Sequence, residues 1–79
     1  MALKNSFLKT KTGNIDITSA TYAEILITKK EGIITEAAVL IKKPKILTSY
    51  RDEIDINDIE PIEDFFIDNN VNYFIITRN

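Results

Sequence analysis

Eight carboxylates crowd one stretch of the chain: Asp52, Glu53, Asp55, Asp58, Glu60, Glu63, Asp64 and Asp68. Clustered oxygen ligands are what Ca²⁺ or Mg²⁺ would take. The spacing does not follow through. Asp55-Ile56-Asn57 begins an EF-hand rhythm, but Ile59 and Glu60 stand where an acid and the glycine of the loop belong. The simpler expectation is a solvated acidic surface, with Asp52, Glu53, Asp55 and Asp58 leading into a helix whose N-terminus favours negative charge. No metal and no cofactor is expected. The same patch could instead dock a basic partner.

Other chemistry is limited by what is missing. The 79 residues include no His and no Cys. A Ser-His-Asp triad, a Cys-His pair and a His-ligated metal are therefore out of reach, and no disulfide can form. Paired acids for glycoside cleavage exist only in the sense that any acidic surface supplies them. No enzyme is expected. The lysines invite a nucleic-acid reading, with Lys29-Lys30 in one pair and Lys42-Lys43 beside Pro44 and Lys45. A sequence pI of about 5.0 and aromatics that do not interleave with the lysines argue against it. Charged strand ends, which guard sheet edges, explain the lysines more simply.

Those side chains need a scaffold, and the scaffold is small. At 9.0 kDa the chain reads as one domain over residues 1–79, with 44% hydrophobic residues. A domain of this size buries only roughly 60% of the surface its unfolded chain exposes, so help from a partner is expected. Charge divides the chain: residues 1–48 carry a net +4 and residues 49–79 a net −6. Neither part could form its own core, so the division marks two regions of one fold. No stretch approaches the ~20 apolar residues of a membrane span. The opening MALKNSFLKTKTG has a positive flank but no apolar core of signal-peptide length. The expectation is a protein made in the cytoplasm, with no membrane role.

Residues 14–18 alternate as a strand, and Lys11-Thr12-Gly13-Asn14 is turn material that could follow a strand from Ser6 to Lys11. Ala23–Lys30 and Ile33–Lys43 are rich in Ile, Val and Thr, and Glu31-Gly32 between them marks a two-residue hairpin. Thr21-x-x-Glu24 has capping-box spacing and offers a helical alternative over residues 20–30, against which the β-branched Ile25, Ile27 and Thr28 weigh. With Glu31-Gly32 as the turn, facing residues sum to 63. One face then holds Ala23, Ile25 and Ile27 opposite Leu40, Ala38 and Glu36. The other holds Tyr22, Glu24 and Leu26 opposite Ile41, Val39 and Ala37. Both faces are apolar, whereas an antiparallel sheet in a lone small protein normally has one wet face. Tyr22, Leu26, Val39 and Ile41 are thereby the expected partner-binding residues.

The C-terminal third predicts a helix over residues 58–69, opened by Pro61 near its start; Ile59, Ile62, Phe65, Phe66 and Asn69 follow its spacing, and Ile62, Phe65 and Phe66 form the apolar stripe. Asn69-Asn70 is the expected stop. Residues 71–77 read as a final strand, and Ile54 and Ile56 alternate with Asp55 as one more short strand. Phe65, Phe66, Tyr73 and Phe74 are expected in the core. The fold class is α+β: a mainly antiparallel sheet of four to five strands with one helix packed on it.

The opening MALKNSFLKTKTGNIDITSATYAEI, with a Met-Ala-Leu-Lys start, a Lys-Thr-Gly turn and a Tyr-x-x-Ile strand, resembles small virion proteins of tailed phages of low-GC bacteria. The resemblance spans about the first 45 residues. It implies a non-enzymatic tail, baseplate or head-tail connector protein, an oligomer or assembly subunit located in the virion. The alternative is a small acidic inhibitor of phage type that binds a host enzyme or defence complex.

Overall fold

A computed structural model describes residues 7–17, 20–43 and 49–79. Ser6, Thr18, Pro44 and Lys45, and the Met-Ala-Leu-Lys start, lie outside the described residues. Six strands and one helix follow in the order β1 (Phe7–Lys9), β2 (Asn14–Asp16), β3 (Tyr22–Lys30), β4 (Ile33–Lys42), β5 (Tyr50–Ile54), α1 (Ile59–Asp68) and β6 (Asn72–Arg78). A 3-10 turn, Ile56–Asp58, leads into α1. β1 and β2 form a small antiparallel hairpin, and the main sheet has the order β5-β4-β3-β6. The fold is α+β: among the described residues a single helix, in the C-terminal third, packs on a mostly antiparallel sheet. β6 is the exception: it runs parallel to β3. The crossover through α1 makes this possible, because a parallel neighbour cannot be reached by a tight turn.

The segment Tyr22–Lys30 is strand, so the helical alternative from Thr21 to Glu24 is overturned. Glu31 and Gly32 both have positive φ, 52° and 80°, as a type I′ hairpin turn requires. Next to the turn, facing residues do sum to 63 (Lys30 with Ile33, Lys29 with Ile34). Beyond it the register slips by one, and Thr28 faces Glu36. Thr35 is the extra residue of a β-bulge, and its hydroxyl donates to the Thr28 carbonyl at 3.4 Å.

That slip corrects the two-faced reading. From Thr28 onward, Ala23 faces Ile41, Ile25 faces Val39, and Ile27 faces Ala37. All six are buried, with Ala23, Ile25, Val39 and Ile41 at 0% exposure. A one-residue shift moves a strand's whole side-chain set to the other face. Without the bulge, Val39 and Ile41 would have lain opposite to Ile25 and Ile27. With it, the best apolar residues of both strands share one face, and Tyr22, Glu24 and Leu26 share the other with Lys42, Leu40 and Ala38.

The core sits between that face and α1, joined by Leu8, Ile17, Ile54, Ile62, Phe66 and Val71. The helix stripe is as the spacing predicts, centred on Phe66 at 0% exposure and Ile62 at 4%, with Ile59 and Phe65 partly buried beside them. Phe66 packs its ring 5.7 Å from Tyr73 of β6 and 6.4 Å from Phe65. The helix stops at the two asparagines: Asn70 takes φ 58°, its N–H donates to the Ile67 carbonyl, and the Val71 N–H donates to the Phe66 carbonyl. Those two bonds are a Schellman motif, which returns the chain towards the sheet. Phe74 departs from the core expectation, at 58% exposure.

Two outcomes test this account. Phe66→Ala should cost about 3–5 kcal/mol in urea unfolding and Phe65→Ala distinctly less, since only the former empties a fully buried site. Deleting Thr35 removes the bulge and turns Val39 and Ile41 away from the core, so cooperative unfolding should be lost. A deletion variant with a near-normal urea transition would contradict the assigned register.

Candidate functional site

Two regions concentrate the residues singled out by type and spacing. The first surrounds Asp52 on β5. The β1–β2 turn closes through the Thr10 N–H, which donates to the Gly13 carbonyl at 2.7 Å. It then docks on β5: the Thr10 hydroxyl donates to Asp52 Oδ2 at 2.5 Å, the Thr12 hydroxyl bonds the same oxygen, and the Lys11 N–H donates to the Glu53 carbonyl at 3.0 Å. The Glu53 N–H donates to Asp52 Oδ1 at 2.9 Å. The hydroxyls of Thr10 and then Thr12 hold the Asp52 carboxyl below its ordinary pKa, with the Glu53 amide adding to this, against a smaller opposing effect of burial. Hydrogen bonds donated to the ionised form do this wherever they occur.

Asp52 is therefore a joint between the small hairpin and the sheet. Asp55 is a cap: its side chain accepts the Asn57 N–H at 2.9 Å and starts the 3-10 turn. Glu53 and Asp58 are exposed. Among the described residues no three acidic side chains converge as a metal site would need. An open depression lined by Lys11, Thr35, Glu36, Glu53 and Asp55 lies beside the joint.

The second region is the face of the main sheet turned away from α1. Register puts Tyr22, Glu24, Leu26 and Thr28 of β3 on it, with Leu40 and Ala38 of β4 and Phe74 and Ile76 of β6. Tyr22 and Phe74 pack with ring centres 5.6 Å apart, Lys42 Nζ stands 5.6 Å from the Tyr22 ring, and the Tyr22 hydroxyl donates to Glu24. That bond, with some burial and the nearby Glu24 charge, raises the tyrosine pKa above its ordinary value. Phe74 is 58% and Ile76 38% exposed. Arg51, Glu53, Glu36 and Arg78 border the Leu26 end. The surface is an apolar centre with a charged rim.

Of the four expected partner-binding residues, the structure thus leaves Tyr22 and Leu26 on this face and takes Val39 and Ile41 into the core. Leu40, Phe74 and Ile76, not among those four, lie on this face as well. The unbroken run Tyr73-Phe74-Ile75-Ile76 was the signal for the last two, because it gives a strand apolar residues on both sides. Among the described residues no helix is long and apolar enough to cross a membrane. Comparison with family models, with curated proteins and with solved structures finds no match.

The Asp52 joint makes a pH prediction. A carboxyl whose folded pKa is depressed contributes stability above its unfolded value and loses it as pH falls through the folded one. Wild type should melt higher than Asp52→Asn at pH 6. The gap should close as the pH drops below about 4, where ordinary aspartates protonate. Equal melting temperatures across that range would mean that the Thr10 and Thr12 bonds contribute nothing.

Proposed function

We propose that this protein is a non-enzymatic structural or assembly subunit, which docks a neighbouring subunit on the face of its sheet opposite α1. The observation that carries the reading is the apolar centre of that face, Tyr22, Leu26, Leu40, Phe74 and Ile76, which α1 does not cover. Phe74 and Ile76 are exposed there, and Tyr22, Leu26 and Leu40 are half-buried beside them; neighbouring apolar side chains left open within a polar rim are how interaction sites look. Its anatomy suits docking, with aromatic and aliphatic side chains in the middle and Lys42, Arg51 and Glu36 at the rim. The resemblance of the opening residues to small phage virion proteins narrows the proposal to a tail, baseplate or connector component.

The inhibitor alternative has less behind it. Of the acids it would use, Asp52 is engaged by Thr10 and Thr12 and Asp55 by the Asn57 amide, which leaves Glu53 and Asp58 as the exposed pair.

The test separates face from core. Leu26→Asp and Leu40→Asp should keep a cooperative melt and lose the proteins that co-purify with the native chain, or its place in particles. Val39→Asp should instead unfold the domain, because Val39 is fully buried. Full retention of partners by both face variants would sink the docking reading.

A further inference from the structure

The two edges of the main sheet are treated differently. β5 is guarded: Arg51, Asp52 and Glu53 sit on it, and the Lys11 N–H already occupies the outward Glu53 carbonyl. Such charge and cover are how natural sheets block edge-to-edge pairing. β6 has neither. Its residues Asn72–Arg78 include no proline and no charge before Arg78, and among the described residues no strand pairs its outer edge. Three consecutive side chains, Phe74, Ile75 and Ile76, are 58%, 47% and 38% exposed. Because neighbours on a strand point to opposite faces, apolar surface is open on both sides of this edge. A partner lying on one face would cover only half of it. A partner strand would cover both.

Charge identifies that strand. At the Asn72 end, Glu24 stands in register with Phe74 on one face, while on the other Glu63 accepts the Tyr73 hydroxyl at 3.0 Å. At the opposite end are Arg78 and, just past it on β3, Lys29 and Lys30. On β6 and the elements directly beside it, the edge is acidic at its start and basic at its finish; Lys42 and Glu36, with the opposite signs, stand one strand further in on β4. The best electrostatic complement of the outermost charges is therefore the same edge reversed. We infer that two copies of this chain pair antiparallel through β6, centred on Ile75, in a continuous eight-stranded sheet.

The register follows from parity. Beside a parallel neighbour, alternate residues of β6 turn both backbone groups outward, so facing residues in a reversed copy must share parity. Pairing about Ile75 gives facing numbers that sum to 150. It also spans the full strand, setting Asn72 against Arg78 and Phe74 against Ile76 of the second copy. The two Arg78 side chains lie at opposite ends. The relation is a two-fold, the commonest symmetry of soluble oligomers. The inference concerns the edge, and it stands or falls separately from the docking face proposed above.

The chain has no cysteine, so single cysteines report the register cleanly. Directly opposed residues have Cβ atoms roughly 4.5–5.5 Å apart, close enough for a disulfide with slight adjustment. Full-length Ile75→Cys, oxidised at micromolar concentration, should cross-link to itself. Phe74→Cys and Ile76→Cys should each link poorly alone and at least several-fold faster when mixed, and Thr77→Cys should not self-link. In sedimentation the unmodified chain should run as a dimer. Arg78→Glu should weaken that dimer about tenfold or more at low salt while leaving the melting curve cooperative. An unmodified chain that is monomeric at high micromolar concentration, or self-linking fastest at position 77, would overturn the inference. Leu26→Asp, by contrast, should still dimerise, so loss of the edge and loss of the face are read independently.

Discussion

One extra residue in β4 decides how this fold is put together. A two-residue turn at Glu31-Gly32 forces facing positions to sum to an odd number. The apolar residues demand an even sum, because Ala23, Ile25 and Ile27 and Ala37, Val39 and Ile41 all occupy odd positions. A regular hairpin would satisfy the turn and split the core across both faces. The bulge at Thr35 satisfies both. Nearly everything else depends on the face it creates: Phe66 and Ile62 have a continuous apolar floor to lie on, Ile54 of β5 joins beside Ala37, and Tyr73 of β6 joins beside Ala23.

The same constraint defines what is left over. Once the odd positions are committed inward, the outer face receives Tyr22, Glu24, Leu26, Ala38 and Leu40, a mixture of polar and apolar residues. β6 then adds Phe74 and Ile76 to it. The described residues supply a single helix of ten residues, Ile59–Asp68, and a hairpin of two three-residue strands as cover. Both are on the core side, since Leu8, Ile17 and Ile62 belong to one buried cluster. An α-helix of that length covers about 15 Å. Two sheet faces were never within its reach.

Local patterns carried most of the architecture. The 3.6-residue stripe through Ile62 and Phe66, the asparagine stop, the Glu31-Gly32 turn and the β-branched runs each have a short-range physical cause, and each is where its residues indicate. The failures are non-local. The bulge was readable in principle, as the conflict between turn parity and apolar parity, but not from either strand alone. Phe74 looked like core because an aromatic in a strand usually is; its exposure follows from β6 being an edge beyond the reach of α1. Asp52 looked like one acid among eight, and its role depends on Thr10 and Thr12, some forty positions earlier in the chain. No spacing rule links residues at that separation.

The distribution of charge along the chain acquires a meaning only in the folded sheet. The excess of lysine in the first part and of carboxylate in the second is not a division between domains, since both contribute to one core. At β5 it places acids on an edge that is closed by the β1–β2 turn. At β6 it leaves the strand itself nearly uncharged and sets opposite charges at its two ends, from β3, α1 and Arg78. A small domain with a net charge of −2 resists self-association only weakly. For the proposed pairing, what matters is then where the charge lies, and it lies away from the middle of β6. Desolvating that edge removes apolar side chains and unpaired backbone groups from water, with no buried charge to offset the gain. The acidic patch near Asp58 and the uncovered edge are thus products of one sorting: charge is concentrated where the sheet is closed or capped, and withheld where it is open.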